Sequence, residues 1–129
     1  MTVQSAVIPL EPYGKARPRV TAGHTYMPDR YTRARAQLRQ MFGAAVGAIT
    51  VPPPWALDVT AVRAMPASWS KRKRLEMAGA WCTSKPDADN VAGAVMDALF
   101  TDDAAVVVVT CRKLWGATAE LRIEIRTAT

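Results

Sequence analysis

The chain has 129 residues, about the size of one domain, and half of its residues are apolar. Lys and Arg outnumber Asp and Glu by 17 to 11, which gives a net charge of +6 and an isoelectric point near 9.8 and favours an anionic partner such as a nucleic acid. One histidine and two cysteines without CxxC spacing argue against a Cys/His zinc site, so any metal would be bound by oxygen atoms.

No 18-residue apolar run and no signal peptide can be recognised, because charged residues interrupt the apolar content from the start. We therefore expect a single domain over residues 1–129, located in the cytoplasm and without a membrane partner. The thiols of Cys82 and Cys111 are expected to be reduced and structural in that compartment.

The first elements are a strand, a loop and a helix. Residues 3–10 predict the strand, which is closed by prolines. Residues 13–28 contain two glycines and two prolines and predict a loop or a short hairpin. From Asp29 to about residue 49, apolar side chains recur at helical spacing, and Asp29 is the expected N-cap.

Three consecutive prolines then end this helix. Residues 55–65 alternate loosely between apolar and polar side chains and predict a second strand. Residues 66–80 predict a strongly basic helix that Ser68 would cap.

The C-terminal third predicts one helix and two strands. Asp89 or Asn90 is expected to cap the helix, which runs through residue 99. Residues 104–111 contain four consecutive valines and predict a buried strand, whereas residues 118–126 alternate as a half-solvated strand does. Gly116 fits a hairpin turn between these strands. The order β-α-β-α-α-β-β predicts a small α+β domain on a mixed sheet.

An acidic segment stands out in this basic chain. Five of the eleven acidic residues lie between positions 87 and 103, a window without any Lys or Arg. They are Asp87, Asp89, Asp97, Asp102 and Asp103. Carboxylates bind hard divalent cations such as Mg²⁺, and surrounding Lys and Arg bind phosphates. The pattern predicts a metal-dependent nuclease.

The spacing of these carboxylates leaves alternatives open. Asp87 and Asp89 are expected in an extended segment, where residues two apart point to the same side and can converge on one cation. Only one residue of the Asp102-Asp103 pair should enter such a site, and spacing does not say which. Asp97 could line the same side further along the helix. Equally, Asp89 could simply cap the helix, and the Asp102-Asp103 pair could form a turn.

The run Lys85-Pro86-Asp87-Ala88-Asp89-Asn90-Val91, followed by residues 94–99 and Asp102-Asp103, resembles the signature of the RusA family of Holliday-junction resolvases. The basic segments 12–19 and 68–74 resemble further parts of the family, so that nearly the whole chain is covered. The resemblance implies a small α+β homodimer that requires Mg²⁺, with Mn²⁺ as a substitute. It also implies paired incisions across four-way branched DNA.

By this match, Asp87, Asp89 and Asp103 would be the metal-binding catalytic residues, with Lys113 as a further catalytic candidate. Asp97 and Asp102 are possible additional acidic groups. The residues expected to contact DNA phosphates are Lys15, Arg17, Arg19, Lys71, Arg72, Lys73, Arg74 and Lys85. Some relatives have a lysine four residues after the second aspartate of the motif, where this chain has Gly93, and Lys85 or Lys113 could supply that charge.

Two other functions fit the same sequence features. One is a catalytically weak or inactive protein that binds branched DNA, in which the acidic cluster serves folding. The other is a nuclease that cuts flaps and nicked branches with little preference for four-way junctions.

Overall fold

The computed structural model describes residues 3–129. The elements are β1 (Val3–Ile8), β2 (Arg19–Thr21), β3 (His24–Tyr26), α1 (Asp29–Val46), β4 (Trp55–Ala64), α2 (Lys71–Met77), α3 (Ala88–Leu99), β5 (Val106–Gly116) and β6 (Glu120–Thr127). A short 3₁₀ turn, Asp103–Ala105, precedes β5. The predicted α+β class and element order are confirmed, and the basic loop before α1 contains the two-stranded hairpin β2-β3.

The main sheet has the strand order β1-β6-β4-β5. The pair β4-β5 is parallel, and the other two pairs are antiparallel. Parallel neighbours need a long crossover connection, which here contains α2 and α3. The sheet is therefore mixed, as predicted, and β5 forms one of its edges.

The hydrophobic core lies between one face of the sheet and the helices α1 and α3. Alternate residues of the two central strands, such as Val59 and Ile123, point to this face and pack against Leu38 of α1 and Val95 of α3. The opposite face carries ion pairs instead, including the Arg112–Asp58 contact at 2.8 Å. The start of α3 lies outside this core, and Asp89 and Asn90 there are exposed to solvent.

Two predicted helix starts are wrong by one or two residues. Pro28 is the N-cap of α1, so Asp29 is the first helical residue and not the cap. The cap of α2 is Ser70 rather than Ser68, and its hydroxyl accepts a hydrogen bond from the Lys73 backbone N–H at 3.1 Å. A turn from Pro66 to Trp69 keeps the preceding residues out of the helix.

The predicted hairpin between the last two strands is also wrong. Gly116 is the final residue of β5, and β4 lies between β5 and β6. A Cβ atom at position 116 would lie only 2.5 Å from Cγ1 of Val62, a residue of β4. Glycine is needed there because the chain passes closely over β4 on its way to β6.

The valine run is not buried as predicted. Val107, Val108 and Val109 are 59, 43 and 43% exposed. The strand that contains them begins after the 3₁₀ turn and extends to Gly116, well past the predicted end at residue 111. These valines are exposed because β5 is an edge strand, whereas a run of this kind is buried only in the middle of a sheet. None of the helices within residues 3–129 is long and apolar enough to cross a membrane.

Candidate functional site

The first two carboxylates of the acidic segment lie at the beginning of α3. Asp87 is the N-cap, with extended backbone angles, but its side chain makes no capping hydrogen bond. Asp89 belongs to the first helical turn. The predictions that Asp89 or Asn90 caps the helix and that Asp87 and Asp89 share an extended segment are therefore wrong. Both carboxylates are exposed at the positive end of the helix dipole, which favours negative charge.

The residues just before Asp87 are held by basic side chains. Lys85 Nζ lies 3.5 Å from Asp87 Oδ1, in a pair whose side chains are 87 and 52% exposed. Such an exposed pair contributes less than about 1 kcal/mol. Lys113 Nζ donates hydrogen bonds to the carbonyl oxygens of Ser84 and Pro86. Lys85 is thus positioned beside the acidic group, and Lys113 contacts the backbone that leads to it.

The second acidic pair lies in the turn before β5. The Asp102 carboxylate accepts a hydrogen bond from the Ala104 backbone N–H at 3.1 Å and so caps the 3₁₀ turn. Asp102 has the turn-forming role that the sequence offered as an alternative. Asp103, the first residue of the 3₁₀ turn, is exposed to solvent.

Asp87 and Asp103 lie at opposite ends of β5. Asp87 follows Pro86, whose carbonyl is bound by Lys113 near the C-terminal end of the strand. Asp103 lies just before Val106, the first residue of β5. The seven steps along the chain from Val106 to Lys113 span about 23 Å in an extended strand. Within residues 3–129, no group of three or more His, Cys, Asp or Glu side chains could hold a metal ion, so one chain does not bring the predicted triad together.

Asp97 is engaged in contacts between α1 and α3. Its Oδ2 accepts hydrogen bonds from the Tyr31 hydroxyl at 2.6 Å and from Arg35 at 3.3 Å. Burial alone would raise the pKa of Asp97, but these hydrogen bonds and the positive charges of Arg35 and Lys15 outweigh it and lower the pKa. The carboxylate therefore stays ionised, and its main partners are on α1 rather than beside Asp89.

Tyr13 packs edge-on against Tyr31, with ring centroids 5.8 Å apart. Its hydroxyl is buried and has no hydrogen-bond partner in the described part of the chain. Burial and the negative charge of Asp97 raise the pKa of Tyr13 to about 12. Both tyrosines thus remain neutral at physiological pH and support the polar contact between the two helices.

The basic N-terminal loop crosses α3 next to the acidic residues. The Lys15 backbone N–H donates to the Asn90 carbonyl at 2.9 Å. The Lys15 side chain then covers Gly93, where an added Cβ would lie 3.4 Å from Lys15 Cδ. Of the lysines near the motif, Lys15 is thus the one that occupies the space above Gly93, a role that the sequence had offered to Lys85 or Lys113.

Two clefts meet at Asn90 on either side of this crossing. One, of about 430 Å³, is bordered by Lys85, Asp87 and Arg30. The other, of about 450 Å³, is bordered by Lys15, Arg17 and Asp97. Arg19 lies on β2 and borders a further cleft against α1. Carboxylates and basic groups therefore alternate around the start of α3.

The basic helix α2 lies at the same end of the sheet as Asp87. Trp69, just before the helix, and Met77, its last residue, pack against Trp115 near the end of β5. Among its basic residues, Lys73 Nζ lies 4.3 Å from the centre of the Trp69 ring, and Arg74 donates to the Pro66 carbonyl. Arg72 pairs with Glu76 on the same helix, and Lys71 is exposed. The charges of α2 thus lie near the end of the sheet where β5 finishes at Trp115 and Gly116.

Two contacts near the site had no local signal in the sequence. Arg63 binds the Lys85 carbonyl from β4, and Tyr31 binds Asp97 from α1. Their partners are 22 and 66 residues away, so these pairs depend on the tertiary fold. Arg63 is the single positively charged residue of β4, but nothing in the local sequence shows which carbonyl it reaches.

An α+β fold that presents carboxylates among basic segments is suited to cutting a polyanion. Residues 9–126 match the family described as endodeoxyribonuclease RusA. The match covers nearly the whole chain, and the chain therefore belongs to the RusA family. Members of this family are endonucleases that resolve Holliday junctions, act on branched DNA and generally depend on a divalent metal. None of the curated proteins compared with the chain matches it.

Proposed function

We propose that this protein is a Mg²⁺-dependent endodeoxyribonuclease that resolves four-way DNA junctions by paired symmetric incisions, in recombination and repair. The observation that carries the proposal is the family match over residues 9–126, which includes the acidic motif at the start of α3. The net charge of +6 supports a DNA substrate.

The chemistry of the acidic residues fits a hard divalent cation. Mg²⁺ prefers oxygen ligands and is commonly held by one or two carboxylates together with waters and substrate phosphates. Asp87 and Asp89 supply two exposed carboxylates within one helical turn, and the weak contact of Asp87 with Lys85 would be easily displaced. When bound, the ion would neutralise charge on the scissile phosphate and activate a water for attack, which leaves a 5′-phosphate and a 3′-hydroxyl. Mn²⁺ would substitute because it takes similar oxygen ligands.

The basic residues around α3 would bind the DNA backbone. Lys15 and Arg17 border the cleft at Asn90, and α2 adds four consecutive basic residues at the same end of the sheet. Contacts of this kind give affinity without sequence selectivity. They would position the backbone of a junction arm across the start of α3.

We propose further that the protein acts as a homodimer and that the second copy completes each acidic site. A junction has two-fold symmetry, and a two-fold dimer matches it with two sites. In a single chain, Asp103 lies at the wrong end of β5 to reach Asp87. A partner whose β5 runs in the opposite direction would carry its own Asp103 toward the end where Asp87 and Asp89 lie.

The outer edge of β5 is the candidate for this contact. Residues 79–82 already bind the backbone of β5 from Lys113 to Trp115. Within residues 3–129, no strand pairs with the outer edge of β5 from Val106 to Arg112, so this stretch remains for a partner, and exposed valines line it. Antiparallel pairing of this stretch with its own copy would bring the partner's acidic turn about three residues beyond Arg112, level with Trp115.

Incision of labelled synthetic DNA tests the proposed function. With Mg²⁺, a four-way junction should be cut at two symmetric positions, whereas linear duplex and flap substrates should be cut much more slowly. Binding of the junction without incision in either Mg²⁺ or Mn²⁺ would identify a catalytically inactive branched-DNA-binding protein. Equal incision of all three substrates would identify a less selective branched-DNA nuclease.

A further inference from the structure

Three consecutive backbone carbonyls in front of the acidic motif are each bound by a cationic side chain. Lys113 Nζ donates to the Ser84 carbonyl at 2.7 Å and to the Pro86 carbonyl at 2.9 Å. Arg63 donates to the carbonyl between them, that of Lys85. These two side chains come from neighbouring parallel strands, β5 and β4. Side chains of the sheet therefore bind the backbone carbonyl of each residue in the segment 84–86.

The backbone strengthens this attachment. The Cys82 N–H donates to the Lys113 carbonyl at 2.9 Å, so the main chain of Lys113 also holds the chain two residues before the segment. The Arg63 guanidinium also lies 5.8 Å from the centre of the Trp115 ring, which restricts its orientation. Hydrogen bonds from charged donors are stronger than those between neutral groups. Asp87 directly follows the fixed segment, and its position depends on these contacts.

These contacts use most of the hydrogen-bonding capacity of the Lys113 ammonium group. An ammonium group has three N–H donors, and two of them are bound to carbonyl oxygens. A phosphate or a leaving oxygen would have to compete for the remaining one. In this respect Lys113 differs from Lys71 of α2, which is exposed and is a candidate for binding phosphate.

We propose that Lys113 and Arg63 are positioning residues that hold Asp87, and with it the metal site, by binding the carbonyls of residues 84–86. This inference rests on the proposed function, because it assumes that the Asp87 carboxylate binds a divalent cation. Lys113 is then not a catalytic group. Its loss weakens the affinity for the metal and leaves the affinity for DNA unchanged.

The test compares Lys113→Met with Arg122→Met. Arg122 lies on β6, away from the proposed dimer edge of β5, and pairs with Glu120, so its substitution also removes one positive charge from the sheet. Loss of a residue that orients a metal ligand typically lowers metal affinity about 10- to 100-fold. We expect such a loss in Mn²⁺ binding to the DNA-free Lys113→Met protein by calorimetry, and no loss for Arg122→Met. Incision by Lys113→Met should recover at high Mg²⁺.

Junction binding in Ca²⁺ over a range of salt concentrations provides the second measurement. Under the proposal, Lys113→Met keeps the affinity and the salt dependence of the unsubstituted protein. A lower affinity with a salt slope reduced by about one would make Lys113 a phosphate ligand. Unchanged Mn²⁺ binding, with incision lost at every Mg²⁺ concentration, would make it a catalytic residue. Either result overturns the proposal.

Two further variants decide the matter if Lys113→Met does not fold. Lys113→Arg keeps charged donors near the Ser84 and Pro86 carbonyls and should keep the metal affinity within about threefold. Arg63→Met releases only the Lys85 carbonyl and should weaken the metal affinity. Equal Mn²⁺ affinities for Arg63→Met and the unsubstituted protein would contradict the proposal. Since Mn²⁺ binding is measured without DNA, this comparison is separate from the test of junction cleavage.

Discussion

The Tyr31 hydroxyl donates a 2.6 Å hydrogen bond to Asp97 and thereby joins α1 to α3 across 66 residues of sequence. Tyr31→Phe removes this bond and should cost about 1–2 kcal/mol of unfolding free energy. The lowered pKa of Asp97 means that its contribution is present above about pH 4, its unfolded value, and is lost as the pH falls through the folded value.

Urea unfolding of Tyr31→Phe between pH 3 and pH 7 measures this dependence. The difference in unfolding free energy between Tyr31→Phe and the unsubstituted protein should be largest at pH 7 and should decrease below about pH 4. Tyr26→Phe, at an exposed position of β3, is the matched control and should have little effect. An equal difference at pH 3 and pH 7 would mean that the ionised form of Asp97 does not contribute.

Asp89→Asn tests the assignment of Asp89 to the metal site. The substitution removes a negative charge near the DNA and one oxygen ligand, so junction binding should be retained or tightened while incision is abolished. Gel-shift binding and junction cleavage in Mg²⁺ measure the two effects separately. If cleavage is retained, Asp89 has no part in the reaction.

Complementation between subunits tests the proposed composite site. Neither Asp87→Asn/Asp89→Asn nor Asp103→Asn should incise a junction alone. In a co-purified heterodimer of the two, one site has intact Asp87 and Asp89 from one chain and intact Asp103 from the other. We expect that heterodimer to nick one strand of the junction. An inactive heterodimer that still binds the junction would contradict a site shared between chains.

Replacement of the four basic residues of α2, at positions 71–74, by Ala should weaken junction binding. If all four contact phosphates, the slope of log affinity against log salt should fall by up to about 3.5 units. The control is the pair Arg122→Ala and Arg126→Ala on β6, where each arginine lies beside a glutamate. A slope that does not change for the α2 variant would show that this helix faces away from the DNA.

The Lys15 side chain lies above Gly93, which suggests a test in which the lysine is moved from position 15 to position 93. Lys15→Ala should lower incision, because it removes the charged side chain whose aliphatic part covers Gly93. Gly93→Lys in the Lys15→Ala background should restore incision, since the space above position 93 is then free and the charge returns. Cleavage rates at saturating DNA measure this effect. A double variant as slow as Lys15→Ala would show that a charge at this position is not needed.

Much of the fold follows from local patterns in the sequence. The order of elements, the basic hairpin before α1 and the carboxylates at the start of α3 could be predicted because helical periodicity and turn residues are local signals. The strand order could not be predicted, since β6 pairs with β1 and β4 rather than with its sequence neighbour β5. The exposed valines follow from that order, because only the tertiary fold places them at an edge.

The candidate site likewise has a part that local sequence could predict and a part that it could not. Asp87 and Asp89 form a local group and were predicted to lie together, whereas Asp103 is separated from them by the length of β5. Residues that are close in sequence can lie far apart in space when a helix separates them. Here α3 runs the full height of the domain, so that Asp103 lies at the end opposite to Asp87. The roles of Arg63 and Lys113 also depended on the parallel pairing of β4 and β5, which determines the carbonyls that they reach.

The open stretch of β5 from Val106 to Arg112 has a consequence for the behaviour of the protein in solution. Unpaired backbone amides beside exposed valines can pair with any other extended chain and can therefore start cross-β aggregation. Separation of the proposed dimer at an unchanged protein concentration should accordingly increase precipitation rather than yield a stable monomer. A lysine in place of Val109 should suppress that precipitation.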